Sequence, residues 1–123
     1  MPKKILVVED DKDSRFILAA QVRLIGHEPL EAANATEAIE KAVAEQPGLI
    51  LMDLAMPGIT GIDAAKTLKQ NQTTAHIPIV AYTAWDGDEW RTPALDAGMV
   101  HYLVKPVMPE KLKTTIDRFI LRD

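Results

Sequence analysis

Apolar positions along the chain fall into two alternating kinds of segment. Ile5 to Val8 and Leu49 to Met52 are apolar at every position, the pattern of parallel strands covered on both faces. Ile77 to Tyr82 reads as a further strand, and Tyr102 to Val104 lies in another. Glu28 to Ala32 is a weaker strand; its Pro29 cannot donate to a ladder, which assigns it to a sheet edge. Between the strands lie helical stretches with stop and start signals. Ser14 to Ile25 ends at Gly26, a good C-terminal cap. Asn34 opens a helix to about Gln46, with Glu37 closing a capping box and Pro47 and Gly48 ending it. Thr60 caps a helix from Ile62 to about Asn71, and Pro109 opens a last one whose Leu112, Ile116 and Phe119 or Ile120 share a face.

The irregular stretch lies between the fourth and fifth strands. Asp88 to Ala97 has helical composition, but Pro93 would fall in its middle, at a cost of about 3 kcal/mol. A late start, with Thr92 as N-cap and Pro93 at the first position, avoids that cost and leaves 84–91 as loop. Five strand-helix units without repeats or linkers predict one domain over 1–123, a doubly wound (βα)5 α/β sandwich.

Composition narrows the chemistry. A chain of 123 residues, 47% hydrophobic and 26% charged, suits a single globular core. No apolar run approaches the roughly 18 to 20 residues of a spanning helix, and no leader precedes the first strand, so a cytoplasmic location and no membrane partner are expected. Without cysteine, any site must use oxygen and nitrogen ligands. A net charge of −4 argues against direct binding of nucleic acid. His27, His76 and His101 are scattered without metal spacing and are read as surface residues.

In a doubly wound sheet the site lies beyond the carboxyl ends of the strands. The first strand delivers Glu9, Asp10 and Asp11 there, the third Asp53, the fourth Thr83, and the fifth Lys105 followed by Pro106. Clustered carboxylates from adjacent strands want a hard divalent cation, Mg²⁺ first and Mn²⁺ as the alternative. Beside such a cation one carboxylate can attack phosphorus while an ammonium and a hydroxyl steady the transferring oxygens. Asp53 is the candidate nucleophile.

At these residues the chain resembles the receiver domain of two-component response regulators, the CheY-like superfamily, over nearly its whole length. The matching motifs are Ile5-Leu6-Val7-Val8-Glu9-Asp10-Asp11, Leu51-Met52-Asp53-Leu54-Ala55-Met56-Pro57-Gly58 with Gly61, Thr83-Ala84, and Tyr102-Leu103-Val104-Lys105-Pro106. The resemblance implies a flavodoxin-like five-stranded parallel sheet in the order 2-1-3-4-5. It further implies Mg²⁺ held by Glu9, Asp10, Asp53 and the Ala55 carbonyl, and a phosphoryl group passed to Asp53 from a histidine kinase or histidine phosphotransfer protein. Thr83 and Lys105 would bind phosphoryl oxygens, and the Lys105-Pro106 bond would be cis. Thr83 and Tyr102 would form the switch that alters a surface read by a downstream protein, with the domain a monomer or weak homodimer. Such a protein is a self-phosphorylating switch with acyl-phosphate hydrolysis of its own, not a turnover enzyme.

Several residues sharpen the expectation. Ala55 brings no side chain to hold an attacking water and Trp85 is bulky enough to cover the site, which together suggest slow hydrolysis. Pro93 implies a nonstandard fourth helix and output face. On the first helix Ile17, Leu18, Val22 and Ile25 suffice for the sheet, leaving Phe16, Ala20 and Leu24 as a spare apolar row where a kinase or phosphotransfer partner could dock. With no effector segment beyond Asp123, output is expected through a protein partner. The alternatives are a receiver portion of a hybrid kinase or multidomain regulator, and a receiver that works without phosphate. The acidic loop 9–13 and the lack of GxGxxG or GxxxxGK[ST] disfavour a flavin or nucleotide binder.

Overall fold

The computed structural model describes residues 2–122. Strands β1 (Lys4–Val8), β2 (Glu28–Ala32), β3 (Leu49–Met52), β4 (Ile79–Thr83) and β5 (His101–Val104) alternate with helices α1 (Lys12–Ile25), α2 (Ala35–Glu45), α3 (Gly61–Gln70), α4 (Asp88–Asp96) and α5 (Pro109–Phe119). All pairings are parallel and the order is β2-β1-β3-β4-β5. Pro29 therefore sits on an edge strand, where its missing N–H costs no ladder bond.

Strand pleating divides the core into two. Leu6, Val8, Ile50, Met52, Ile79 and Ala81 face one way, against the alanines of α2 (Ala35, Ala38, Ala42) and α3 (Ala64, Ala65) and against Ala94 of α4. Ile5, Val7, Leu49, Leu51, Val80 and Leu103 face the other, against Leu18 and Val22 of α1 and Leu112 and Ile116 of α5. In register, Val8 lies opposite Ala32 and Met52, and Thr83 opposite Val104. The strands thus release their following residues along a single rim.

Three expectations need correction. Helix α4 starts at Asp88 after Gly87, not at Pro93, and carries Pro93 inside it. Glu89 and Pro93 are both exposed, so water can meet the carbonyl that loses its N–H partner. Strand β4 starts at Ile79, because Pro78 has no donor for the ladder and the Ile77 N–H is taken by the Thr74 carbonyl at 3.0 Å. On α1, Leu18, Ala19 and Val22 are the buried residues, while Ile17, one step round the helix, is exposed with Phe16 and Leu24. No helix of the described residues is long and apolar enough to cross a membrane.

Candidate functional site

Glu9 and Asp53 each follow the last residue of a central strand, and the ladder carries on past the strand ends to hold them. The Glu9 N–H donates to the Ala32 carbonyl at 3.1 Å and the Asp53 N–H to the Val8 carbonyl at 3.0 Å. With Asp10 they form a group whose ligand oxygens all lie within 4.8 Å of one another. Asp11, also delivered by β1, is spent elsewhere: its Oδ2 accepts from the Ser14 N–H at 2.8 Å as the N-cap of α1.

Asp53 is buried and closely held. Its Oδ1 accepts from the Ala55 N–H at 3.0 Å and its Oδ2 from the Lys105 Nζ at 3.1 Å. The turn beyond it requires glycine at 61, since a Cβ there would meet the Asp53 carbonyl oxygen at 2.2 Å. Lys105 also lies 3.4 Å from Glu9 Oε1, and its ammonium stands 5.3 Å from the centre of the Tyr82 ring. It reaches the rim on β5, where its N–H donates to the Thr83 carbonyl at 2.8 Å and the following bond to Pro106 is cis.

These charges shift one another. Burial, and after it the neighbouring Asp53 carboxylate, pushes Glu9 up to about 8. Asp53 itself is held below its ordinary range: burial opposes its charge, but Glu9, the Ala55 N–H and the Lys105 ammonium outweigh that. Burial also works against the Lys105 charge, and the two carboxylates more than offset it, raising its pKa. Glu9 Oε2 is buried and, among the described residues, has no hydrogen-bond partner. An oxygen-only donor set with an orphaned buried oxygen fits a hard divalent cation such as Mg²⁺.

Thr83 is fully buried at the end of β4. Its Oγ1 accepts from the Trp85 N–H at 3.3 Å, which leaves the hydroxyl hydrogen to be donated. The Tyr102 hydroxyl donates to the Trp85 carbonyl at 2.5 Å. The Trp85 ring is half-buried and stacks on Trp90 of α4 with centroids 4.2 Å apart. The three histidines stay apart from the site: His27 Nδ1 accepts from the Lys3 N–H, His101 packs on Phe119, and His76 is exposed.

Two contributors escaped the reading of the sequence. Arg15 donates to the backbone carbonyl of Glu9 at 2.8 Å. Its signal was a cation near the start of α1, where the helix dipole disfavours one unless another acceptor holds it. Trp90 was missed because its role depends on α4 starting before Pro93.

A family model described as response regulator receiver domain matches residues 5–117. The phosphate regulon transcriptional regulatory protein PhoB of Pseudomonas aeruginosa is 34% identical over 98% of this chain, which spans about half (52%) of that relative's length. The polar-differentiation response regulator DivK of Brucella anthropi is 32% identical, with 98% of each chain covered. Among solved structures, the receiver domain of the sensor histidine kinase PA1611 from Pseudomonas aeruginosa PAO1, with a magnesium ion in its active site cleft, superposes with a TM-score of 0.87. It is 30% identical over 97% of this chain and 98% of that one.

Proposed function

The chain belongs to the response regulator receiver domain family of two-component signalling, and on that premise we propose that it accepts a phosphoryl group on Asp53. The observation that carries this reading is the convergence on one carboxylate: Lys105 at 3.1 Å from Asp53, with Glu9 and Asp10 completing the acidic group around it.

Glu9 and Asp10, with Asp53 and the Ala55 carbonyl, would hold Mg²⁺; when bound, the ion neutralises charge on the transferring oxygens and brings them to the carboxylate. An Asp53 oxygen forms the new O–P bond as the P–N bond to the donor histidine breaks, and the departing imidazole nitrogen keeps the electron pair and takes up a proton. Lys105 and the free Thr83 hydroxyl hydrogen stabilise the phosphoryl oxygens. Donation by Thr83 draws it toward Asp53. Its partner Trp85 and, through Trp85, the Tyr102 hydroxyl would follow, altering the surface of α4 and β5 for a downstream protein. Ala55 offers no side chain to orient water, so the acyl phosphate is long-lived.

Residues 1–123 are read as one receiver domain. The exposed row of Phe16, Ile17 and Leu24 on α1 supports a docking face for a histidine kinase or phosphotransfer protein. Transfer from a cognate donor to Phe16→Ala is expected to slow, and an unchanged rate would remove that face from the reading.

Intact mass after incubation with Mg²⁺ and acetyl phosphate tests the central proposal. One phosphoryl adduct is expected on the wild type, decaying slowly, and none on Asp53→Asn. An adduct on both would move the acceptor elsewhere. None on a wild type that binds Mg²⁺ would favour a receiver that signals without phosphate.

A further inference from the structure

Two of the three carboxylates of the cluster, those of Glu9 and Asp10, are carried by the turn between β1 and α1, so a restraint on that backbone sets where their oxygens stand. Arg15 supplies that restraint. Its Nη1 donates to the Glu9 carbonyl at 2.8 Å and more weakly to the Asp10 carbonyl at 3.5 Å, while its Nε donates to Glu31 Oε1 at 3.3 Å. Glu31 lies on edge strand β2, and its own carbonyl accepts from the Lys41 ammonium of α2. The Arg15 side chain is largely enclosed, at 17% exposure.

The chemistry of this contact is specific. Arg15 bonds to the carbonyls of the loop rather than to the carboxylates of the cluster. It brings a positive charge up to the acidic turn while leaving the Glu9 and Asp10 side-chain oxygens for a cation. A planar fork can serve carbonyls on one side and the Glu31 carboxylate on another; a lysine ammonium is a single point charge on a flexible stem.

We propose that Arg15, anchored by Glu31, is a positioning residue for the divalent cation, presetting the β1–α1 turn and thereby raising Mg²⁺ affinity. The inference rests on reading Glu9, Asp10 and Asp53 as the cation's ligands. Supporting partners outside the ligand shell typically change metal affinity by about 10- to 100-fold, because they remove the cost of ordering the ligands on binding.

Calorimetric Mg²⁺ titrations of the wild type, Arg15→Met, Arg15→Lys and Glu31→Gln, beside thermal melts without metal, test this. Arg15→Met is expected to bind about tenfold more weakly. Arg15→Lys should recover only part of the loss, and Glu31→Gln should weaken binding by a smaller factor than Arg15→Met. A folded Arg15→Met with a lowered melting temperature but wild-type Mg²⁺ affinity would make the residue merely structural and overturn the proposal. Full affinity in Arg15→Lys would overturn the bridging role. Should Arg15→Met fail to fold, Glu31→Gln decides, and wild-type affinity there overturns the proposal as well. If the wild type itself binds no Mg²⁺, the reading of the cluster falls; if it binds and the variants match it, only the role of Arg15 falls.

Discussion

The turns after β1 and β4 both supply residues to the same rim, yet they are held by different forces. The β1–α1 turn is fixed by charge: Asp11 caps α1, the Arg15 guanidinium grips the Glu9 carbonyl, and Glu31 grips Arg15. Hydrogen bonds to charged groups contribute about 1.5 to 3 kcal/mol each, roughly twice the neutral value. The β4–α4 turn is tied to the rest of the fold by neutral bonds, from the Trp85 N–H to Thr83 and from the Tyr102 hydroxyl to the Trp85 carbonyl, together with the Trp85–Trp90 stack; its charged acceptor, the Asp86 carboxylate, takes the adjacent Gly87 N–H at 2.8 Å and so acts within the turn. It leads into a helix that lacks a side-chain N-cap and buries only Ala94. A stiff turn suits holding a cation, and a lightly held one suits moving when the site changes. The lesson is that two turns can share a rim and still differ in how firmly they are held.

The largest expected effect lies in the charged turn. Glu9 has an ordinary pKa of 4.5 and is raised to about 8 in the fold, burial being the first cause. Between those values the unfolded chain gives up a proton that the native protein keeps, so without metal the stability from Glu9 is complete below pH 4.5 and lost as pH rises toward 8. The loss is on the order of a few kcal/mol. Asp53, shifted below its ordinary 3.8, acts only in more acid solution and does not share this window. Burial holds His27 and His101 below 6.5, so they add stability as pH rises to 6.5 and not beyond; melting temperatures in chelator should therefore fall from pH 6.5 to pH 8. With saturating Mg²⁺, which takes the place of the proton, that decline should flatten or reverse. A melting temperature that rises from pH 6.5 to pH 8 in chelator would mean that Glu9 is already ionised and the cluster held together otherwise.

Much of this arrangement was legible in the chain, for physical reasons. Ile5 to Val8 and Leu49 to Met52 are apolar throughout because both faces of a central parallel strand are covered, and the carboxyl ends of such strands converge. That Glu9, Asp10, Asp53 and Lys105 would meet followed from the convergence of strand ends. What stayed hidden depends on contacts between distant segments or on local compensation. Pro93 looks like a helix start, but solvent at Glu89 lets it sit inside α4. Ile17 fits an apolar face by type, but only the packing of α1 on the sheet reveals that Leu18 and Val22 already fill it. Arg15 carries no motif, because its acceptors are backbone carbonyls, which any sequence provides.

The smaller effect probes the aromatic turn. Trp85→Ala removes the ring but keeps the N–H that Thr83 accepts and the carbonyl that Tyr102 reaches, so it separates the stack from the backbone links. Full burial would make a Trp to Ala change cost 3 to 5 kcal/mol; for a half-buried ring, with loss of the Trp90 stacking included, about 2 kcal/mol is expected by thermal or denaturant unfolding. If the two turns are mechanically distinct, Mg²⁺ affinity should stay at the wild-type value, in contrast to Arg15→Met. A parallel loss of Mg²⁺ affinity would join the turns into one unit and break the comparison. The same variant separates two uses of the ring. Faster decay of the Asp53 adduct would mean that the ring keeps water from the acyl phosphate. An unchanged lifetime would confine Trp85 to α4, where a stack with 4.2 Å between centroids already gives it a partner.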